Sequence, residues 1–152
     1  PGNCSPMSSQ VTEALRGLVA ERAYHVCEYC LVREDDAYHG CEVDHIVSLK
    51  HGGLTVPENL ANACFHCNRR KGTDVGSIAT RSGVFVRLLN PRSDHWCEHF
   101  YLSEGRIEPL SEIGEVTCRV LDFNHPKRVA FRKVLTDIGR YPTVEALARM
   151  KE

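Results

Sequence analysis

The chain has 152 residues, of which 42% are hydrophobic and 26% charged, and its formal net charge is −1. That balance fits one compact domain with room for a small subdomain, and it excludes disordered, coiled-coil and collagen-like chains. No stretch approaches the ~18 apolar residues of a membrane span, and the near-neutral charge gives no global pull on nucleic acid.

Pro1 to Pro6 reads as a remnant of expression ahead of a start at Met7, which leaves 8–75 and 76–152 as the two regions to interpret. A helix is predicted from Ser8 or Ser9 to about Ala23, because Val11, Ala14, Leu15, Leu18 and Val19 fall on one helical face. Glu34-Asp35-Asp36 reads as a solvated acidic loop. From Cys41 to Leu49 the odd positions Cys41, Val43, His45, Val47 and Leu49 share one face at period two, which predicts a strand. Gly52-Gly53 marks a turn, and Pro57-Glu58-Asn59 can open one helical turn. A short helix is predicted over 65–71, ended by Gly72.

Beyond Thr73, the segments 83–89 and 96–102 read as strands, Gly105 to Ile107 as a turn into another, and 116–121 as ambiguous. Asn124-His125-Pro126 starts a helix whose apolar stripe is Phe131, Val134, Leu135 and Ile138, with Lys127, Arg128, Arg132 and Lys133 on its other side. Tyr141-Pro142-Thr143 breaks it before a last short helix.

The eight cysteines carry the first chemical signal. Cys27-x-x-Cys30 and Cys64-x-x-Cys67 are two CxxC pairs separated by 33 residues, long enough for a hairpin. Disulfides would need an oxidising compartment, and the first residues show no basic region followed by an apolar stretch of the kind a signal peptide has, so a cytoplasmic protein with a metal site is expected. Four thiolates paired in this way suit tetrahedral zinc, whereas a redox CxxC usually stands alone near a βαβ pattern. Cys4, Cys41, Cys97 and Cys118 read as small buried apolar residues.

Between the pairs lies Asp44-His45, with Asn59 fourteen positions after His45 and Asn68 directly behind Cys67. Asp44 and the Asn68 amide offer the oxygen ligands that a hard divalent cation needs. The His45 imidazole can take a proton from water. Adjacent side chains on a strand diverge, so Asp44 and His45 can work from opposite sides of a phosphate, as in-line attack requires.

Cys27-x-x-Cys30, Val43-Asp44-His45-Ile46, Gly52-Gly53, Glu58-Asn59-Leu60 and Cys64-x-x-Cys67-Asn68-x-x-Lys71-Gly72 together resemble the HNH endonuclease family over about residues 22–74. The resemblance implies an α+β protein: a zinc-stabilised ββα-metal finger core with an N-terminal helix, and an α+β C-terminal extension. It implies metal-dependent hydrolysis of DNA phosphodiester bonds, with no membrane partner. His45 would be the general base, with Asn59 orienting its loop. Asp44 and Asn68 would bind the catalytic ion, and Cys27, Cys30, Cys64 and Cys67 the structural zinc. Many members carry His where this chain has Asn68, and the amide favours magnesium or manganese over a second zinc. His66 is not taken for that His, because on a short helix it points away from Asn68. Arg69, Arg70 and Lys71 adjoin Asn68 and are expected to contact DNA phosphates. The alternative function is a catalytically inactive zinc module that binds nucleic acid.

Overall fold

In the computed structural model, which describes residues 9–152, the first helix is α1 (Glu13–Arg22). Thr12 caps it, its hydroxyl accepting from the Leu15 N–H at 3.2 Å. The expected N-cap therefore shifts: Ser9 lies ahead of the helix, and Ser8 lies outside the described residues. Only Val19 of the predicted apolar face is fully buried. Arg22, in the last turn, donates to the carbonyls of Pro57 (3.0 Å) and Leu60 (2.8 Å), which clamps α1 onto the segment entering the second strand.

The central unit is a hairpin followed at once by a helix. Strands β1 (Cys41–His45) and β2 (Leu60–Cys64) are antiparallel, with Cys41 opposite Cys64 and His45 opposite Leu60. Helix α2 (Phe65–Lys71) follows β2 with no linker. This is the ββα arrangement expected of the core. The strand differs from its predicted form, however. It ends at His45, the side chains turned inward are Asp44 and Ile46, and Val47 and Leu49 are exposed. Burial of Asp44 is possible because Tyr29 and Lys71 supply hydrogen-bond partners inside.

The extension adds two further hairpins and four helices: β3 (Gly76–Ile78) with β4 (Phe85–Arg87), α3 (Trp96–His99), β5 (Phe100–Ser103) with β6 (Arg106–Pro109), α4 (Glu112–Val120), α5 (Pro126–Asp137) and α6 (Val144–Lys151). The expected strand over 96–102 is thus a helical turn leading into a strand, and the ambiguous 116–121 belongs mostly to α4. In α5 the predicted stripe is overturned. Phe131, Val134 and Ile138 are exposed, and Arg132 is buried beside Leu135. The Arg132 guanidinium donates to the carbonyls of Gly105 and Phe123, both at 2.6 Å, so hydrogen bonding sets the inward face of this helix.

One core joins the two halves. Trp96 packs at a tilt against Phe100, and Phe100 meets Phe123 edge to face, while the Trp96 Nε1–H donates to the Tyr29 carbonyl at 2.9 Å. The Tyr141 hydroxyl donates to the Cys30 carbonyl at 2.9 Å. Of the cysteines outside the CxxC pairs, Cys41 and Cys118 are half-buried and Cys97 is exposed, which corrects the expectation of burial. Cys4 lies outside the described residues.

Candidate functional site

The two CxxC segments are shaped by different means. The first, between Val26 and Arg33, folds back on itself through a Val26–Arg33 bridge and a 2.9 Å bond from the Cys27 N–H to the Val32 carbonyl. The second straddles the junction of β2 and α2, so Cys64 ends the strand and Cys67 lies on the buried face of the helix. All four sulfurs lie within 4.8 Å of one another, and they form the one such cluster of His, Cys, Asp or Glu ligands among the described residues. Cys30 Sγ and Cys64 Sγ are 3.7 Å apart. A tetrahedron with metal–sulfur bonds of ~2.3 Å has edges of about 3.8 Å, so the donor set and its spacing fit zinc.

Charge around the sulfurs is also arranged. Burial pushes the Cys27 and Cys67 thiols well up, while hydrogen bonds from Cys27, Cys64 and Cys67 hold Cys30 well down. Arg128 of α5 donates to Cys67 Sγ at 3.0 Å. Burial opposes its charge, yet its attraction to the cysteine cluster and its hydrogen bond to Cys67 hold the guanidinium firmly protonated. Glu28, inside the first CxxC, accepts from the Asn62 N–H at 2.8 Å, from Arg149 of α6 at 2.8 Å, and from Arg92. The extension is therefore tied to both sides of the cysteine cluster.

Asp44 and His45 lie at the end of β1. Asp44 is 4% exposed, with one carboxylate oxygen accepting from the Tyr29 hydroxyl at 2.6 Å and the other from Lys71 Nζ at 3.1 Å. Burial pushes its carboxyl up, and the Lys71 charge and Tyr29 hydrogen bond partly offset that. Lys71 is 1% exposed and also donates to the His45 carbonyl at 2.8 Å. This corrects the expected phosphate role of Lys71, because its ammonium points into the protein.

His45, on the opposite face, places Nε2 2.9 Å from Thr55 Oγ1. The Thr55 hydroxyl donates its proton to the Ser9 carbonyl at 3.3 Å, so it accepts from Nε2–H. That leaves His45 Nδ1 as the ring nitrogen with no hydrogen bond among the described residues. Among the described residues the Asn59 side chain bonds only to backbone: its amide nitrogen donates to the carbonyls of Val47 and Leu54, and its oxygen accepts from the Val47 N–H, all at 2.9 Å. Gly53 packs inside this loop, where a Cβ would stand 1.7 Å from the Val47 carbonyl oxygen. Asn59 thus acts as a brace for the loop behind His45.

Asn68 donates from Nδ2 to Glu42 Oε2 at 2.6 Å. Glu42 is exposed and shares a strand face with Asp44, and α2 lays Asn68 and Lys71 against that face, three residues apart on the helix. Glu42, Asp44 and Asn68 thus lie along one face, and each carries an oxygen of the kind that hard divalent cations take. Arg69 is exposed, its guanidinium 5.4 Å from the Phe65 ring centre. Arg70 is half-exposed and pairs with Asp122 at 3.3 Å.

Tyr29, Glu42, Thr55 and Arg128 were not picked out from the sequence. Tyr29 lies within a CxxC and Glu42 two residues before Asp44, so both had a positional signal. Arg128 had none, being 61 residues from its sulfur partner.

No curated protein and no solved structure matches the chain. Residues 27–74, less than half of it, match the family model for HNH endonuclease, and their ends coincide with the first zinc-type cysteine and the residues just past α2. With the four-cysteine cluster on a ββα frame, that match makes residues 27–74 similar to the domain of HNH endonucleases, a type associated with nuclease or nucleic-acid-binding function.

Proposed function

We propose that the chain is a metal-dependent endonuclease that hydrolyses DNA phosphodiester bonds, held together by a structural zinc on Cys27, Cys30, Cys64 and Cys67. The observation that carries this reading is the opposition of two chemistries across one strand end. Oxygen donors line the Asp44 face, and an imidazole with an open nitrogen occupies the other.

Asp44 and Asn68 would hold magnesium or manganese, with the Glu42 carboxylate beside them. When bound, such an ion polarises the scissile phosphate and stabilises the leaving oxygen. His45 Nδ1 takes the proton of the attacking water, because Nε2–H is committed to Thr55. Thr55 fixes the ring and its tautomer. Asn59 and Gly53 keep the loop closed behind it. Lys71 holds the Asp44 carboxylate and the His45 carbonyl together, which fixes the spacing of the two functional side chains. Arg69 and Arg70, on the exposed side of α2, meet DNA phosphates. Reduced thiols at the cysteine cluster suit a cytoplasmic protein.

One observation favours a second reading, a catalytically silent zinc module. Both Asp44 oxygens already accept hydrogen bonds and the residue is 4% exposed. Each oxygen keeps a second lone pair, so the enzyme reading stands. Incubation of supercoiled plasmid with the purified protein separates the two. Nicking that requires added Mg2+ or Mn2+ and disappears in Asp44→Ala, with zinc content unchanged, is expected of the enzyme. Equal cleavage by Asp44→Ala, or none under any metal, contradicts it.

A further inference from the structure

A cavity of about 500 Å³ opens away from Asp44 and His45. It lies beside the cysteine cluster, against Cys30 and Cys64, between His66 and Arg70 of α2, Tyr38 ahead of β1, and His125, Lys127 and Phe131 in the first half of α5 and its cap. Residues two apart on a helix are turned roughly 200° from each other. Asn68 therefore sits opposite both His66 and Arg70. Phe65 and Arg69 cover the arc of helix surface between them, so one continuous surface runs from Asn68 around α2 into the cavity. A second hollow of about 350 Å³, walled by His66, Arg69 and Arg70, adjoins it along that arc.

Rings and cations alternate on this surface. Phe65 meets His39 (5.4 Å), His66 (5.7 Å) and Tyr38 (6.2 Å) edge to face, and Arg69 lies over it. Tyr38 remains 66% exposed and Phe131 42%. Both carboxylates of the cavity are neutralised, Asp36 by Arg140 and Asp122 by Arg70. The charge of Arg128 is spent on the cysteine sulfurs. Arg69 and Lys127 make no ion pair among the described residues, so the surface keeps positive charge with no acid to answer it. Exposed rings interleaved with uncompensated cations suit a polyanion that carries flat π-faces. Bases inside a duplex cannot reach such rings, whereas unpaired bases can.

We propose that this aromatic and cationic platform holds unpaired nucleotides next to the scissile phosphate, so that the substrate is DNA bearing a single-stranded segment. The proposal rests on the nuclease reading and names its substrate class. The cavity falls within the roughly 300–1,000 Å³ of small-ligand sites, which accommodates a nucleotide. The backbone crosses α2 at Arg69 and leads its unpaired bases to Tyr38 and Phe131, while Lys127 takes a phosphate beyond them.

Fluorescence anisotropy tests this without turnover, using the zinc-loaded protein with no added magnesium or manganese. The probes are a labelled blunt duplex and the same duplex with a single-stranded tail. The tail is expected to tighten binding roughly tenfold for each stacked base. Replacing Tyr38→Ala and Phe131→Ala together should erase that preference and leave blunt-duplex affinity and zinc content unchanged. Either single variant should reduce it, which keeps the test decisive if the pair misfolds. Equal affinity of the wild type for both probes, or a preference that survives the substitutions, overturns this proposal alone and leaves the cavity to a protein segment. Binding to neither DNA overturns the nuclease reading along with it.

Discussion

Lys71→Met separates the role that the structure gives Lys71 from the one its sequence position suggests. Methionine keeps most of the apolar stem and deletes the charge. In the native chain the ammonium is 1% exposed and serves two acceptors, Asp44 Oδ1 at 3.1 Å and the His45 carbonyl at 2.8 Å. Deleting one partner of a buried pair costs about 3–5 kcal/mol, because the other charge stays buried without compensation. For a domain of this size each kcal/mol lowers Tm by about 2–4 °C, so the expected loss is roughly 6–20 °C. Chemical denaturation of the zinc-loaded protein reads the same quantity as a lower midpoint at unchanged slope. Combining Lys71→Met with Asp44→Asn should recover part of the loss, since both charges are then gone. A variant that keeps wild-type stability but binds DNA more weakly, with a shallower salt dependence, would refute the reasoning and restore Lys71 as a phosphate contact.

Other outcomes follow from the same geometry. Arg128→Met removes the donor to Cys67 Sγ, so zinc affinity should fall roughly 10–100-fold in a chelator competition. Stripping zinc altogether should unfold residues 27–74, seen as loss of far-ultraviolet circular dichroism; retention of the native spectrum would mean that the cysteines are not structural. Gly53→Ala places a methyl on the Val47 carbonyl, and overpacking of this kind costs about 1–3 kcal/mol. It should also slow cleavage by displacing the loop behind His45, and wild-type rates in this variant would show that the loop does not position the base.

The parts legible in the sequence were those set by short spacing. The CxxC pairs, the turn at Gly52-Gly53 and the helix ended by Gly72 each depend on neighbours within a few residues, and the ββα frame was implied by the family resemblance that those motifs carry. The failures share a different cause. Period-two alternation pointed Val47 and Leu49 inward, but the chain leaves the strand at Ile46, where Asn59 pins the loop from twelve residues away. The α5 stripe failed because Arg132 found carbonyl partners on Gly105 and Phe123, and a satisfied guanidinium can displace apolar residues from an inward face.

The site shows the same division. Asp44, His45 and Asn68 stand at recognisable spacings, and the structure places them around the end of β1 and the face of α2. What the spacings could not supply was the second layer of contacts. Lys71 looked like the third of three basic residues on a helix, yet it lies three positions from Asn68, on the side facing β1. Arg69 and Arg70 turn outward from the same run. Helical periodicity held that information, but using it required knowing which side of a seven-residue helix was covered. Thr55 and Arg128 became partners only through tertiary contact.

The most direct test of the central claim is single-turnover cleavage by His45→Ala beside the wild type, at saturating DNA with Mg2+ or Mn2+. A general base contributes about 10²–10⁴-fold, so the cleavage rate should fall by that factor. DNA affinity and zinc content should stay at wild-type values, because among the described residues the imidazole bonds only to Thr55 and is not one of the four clustered sulfur ligands. Cleavage by His45→Ala at the wild-type rate would contradict the account and assign any nuclease activity to another site or another protein.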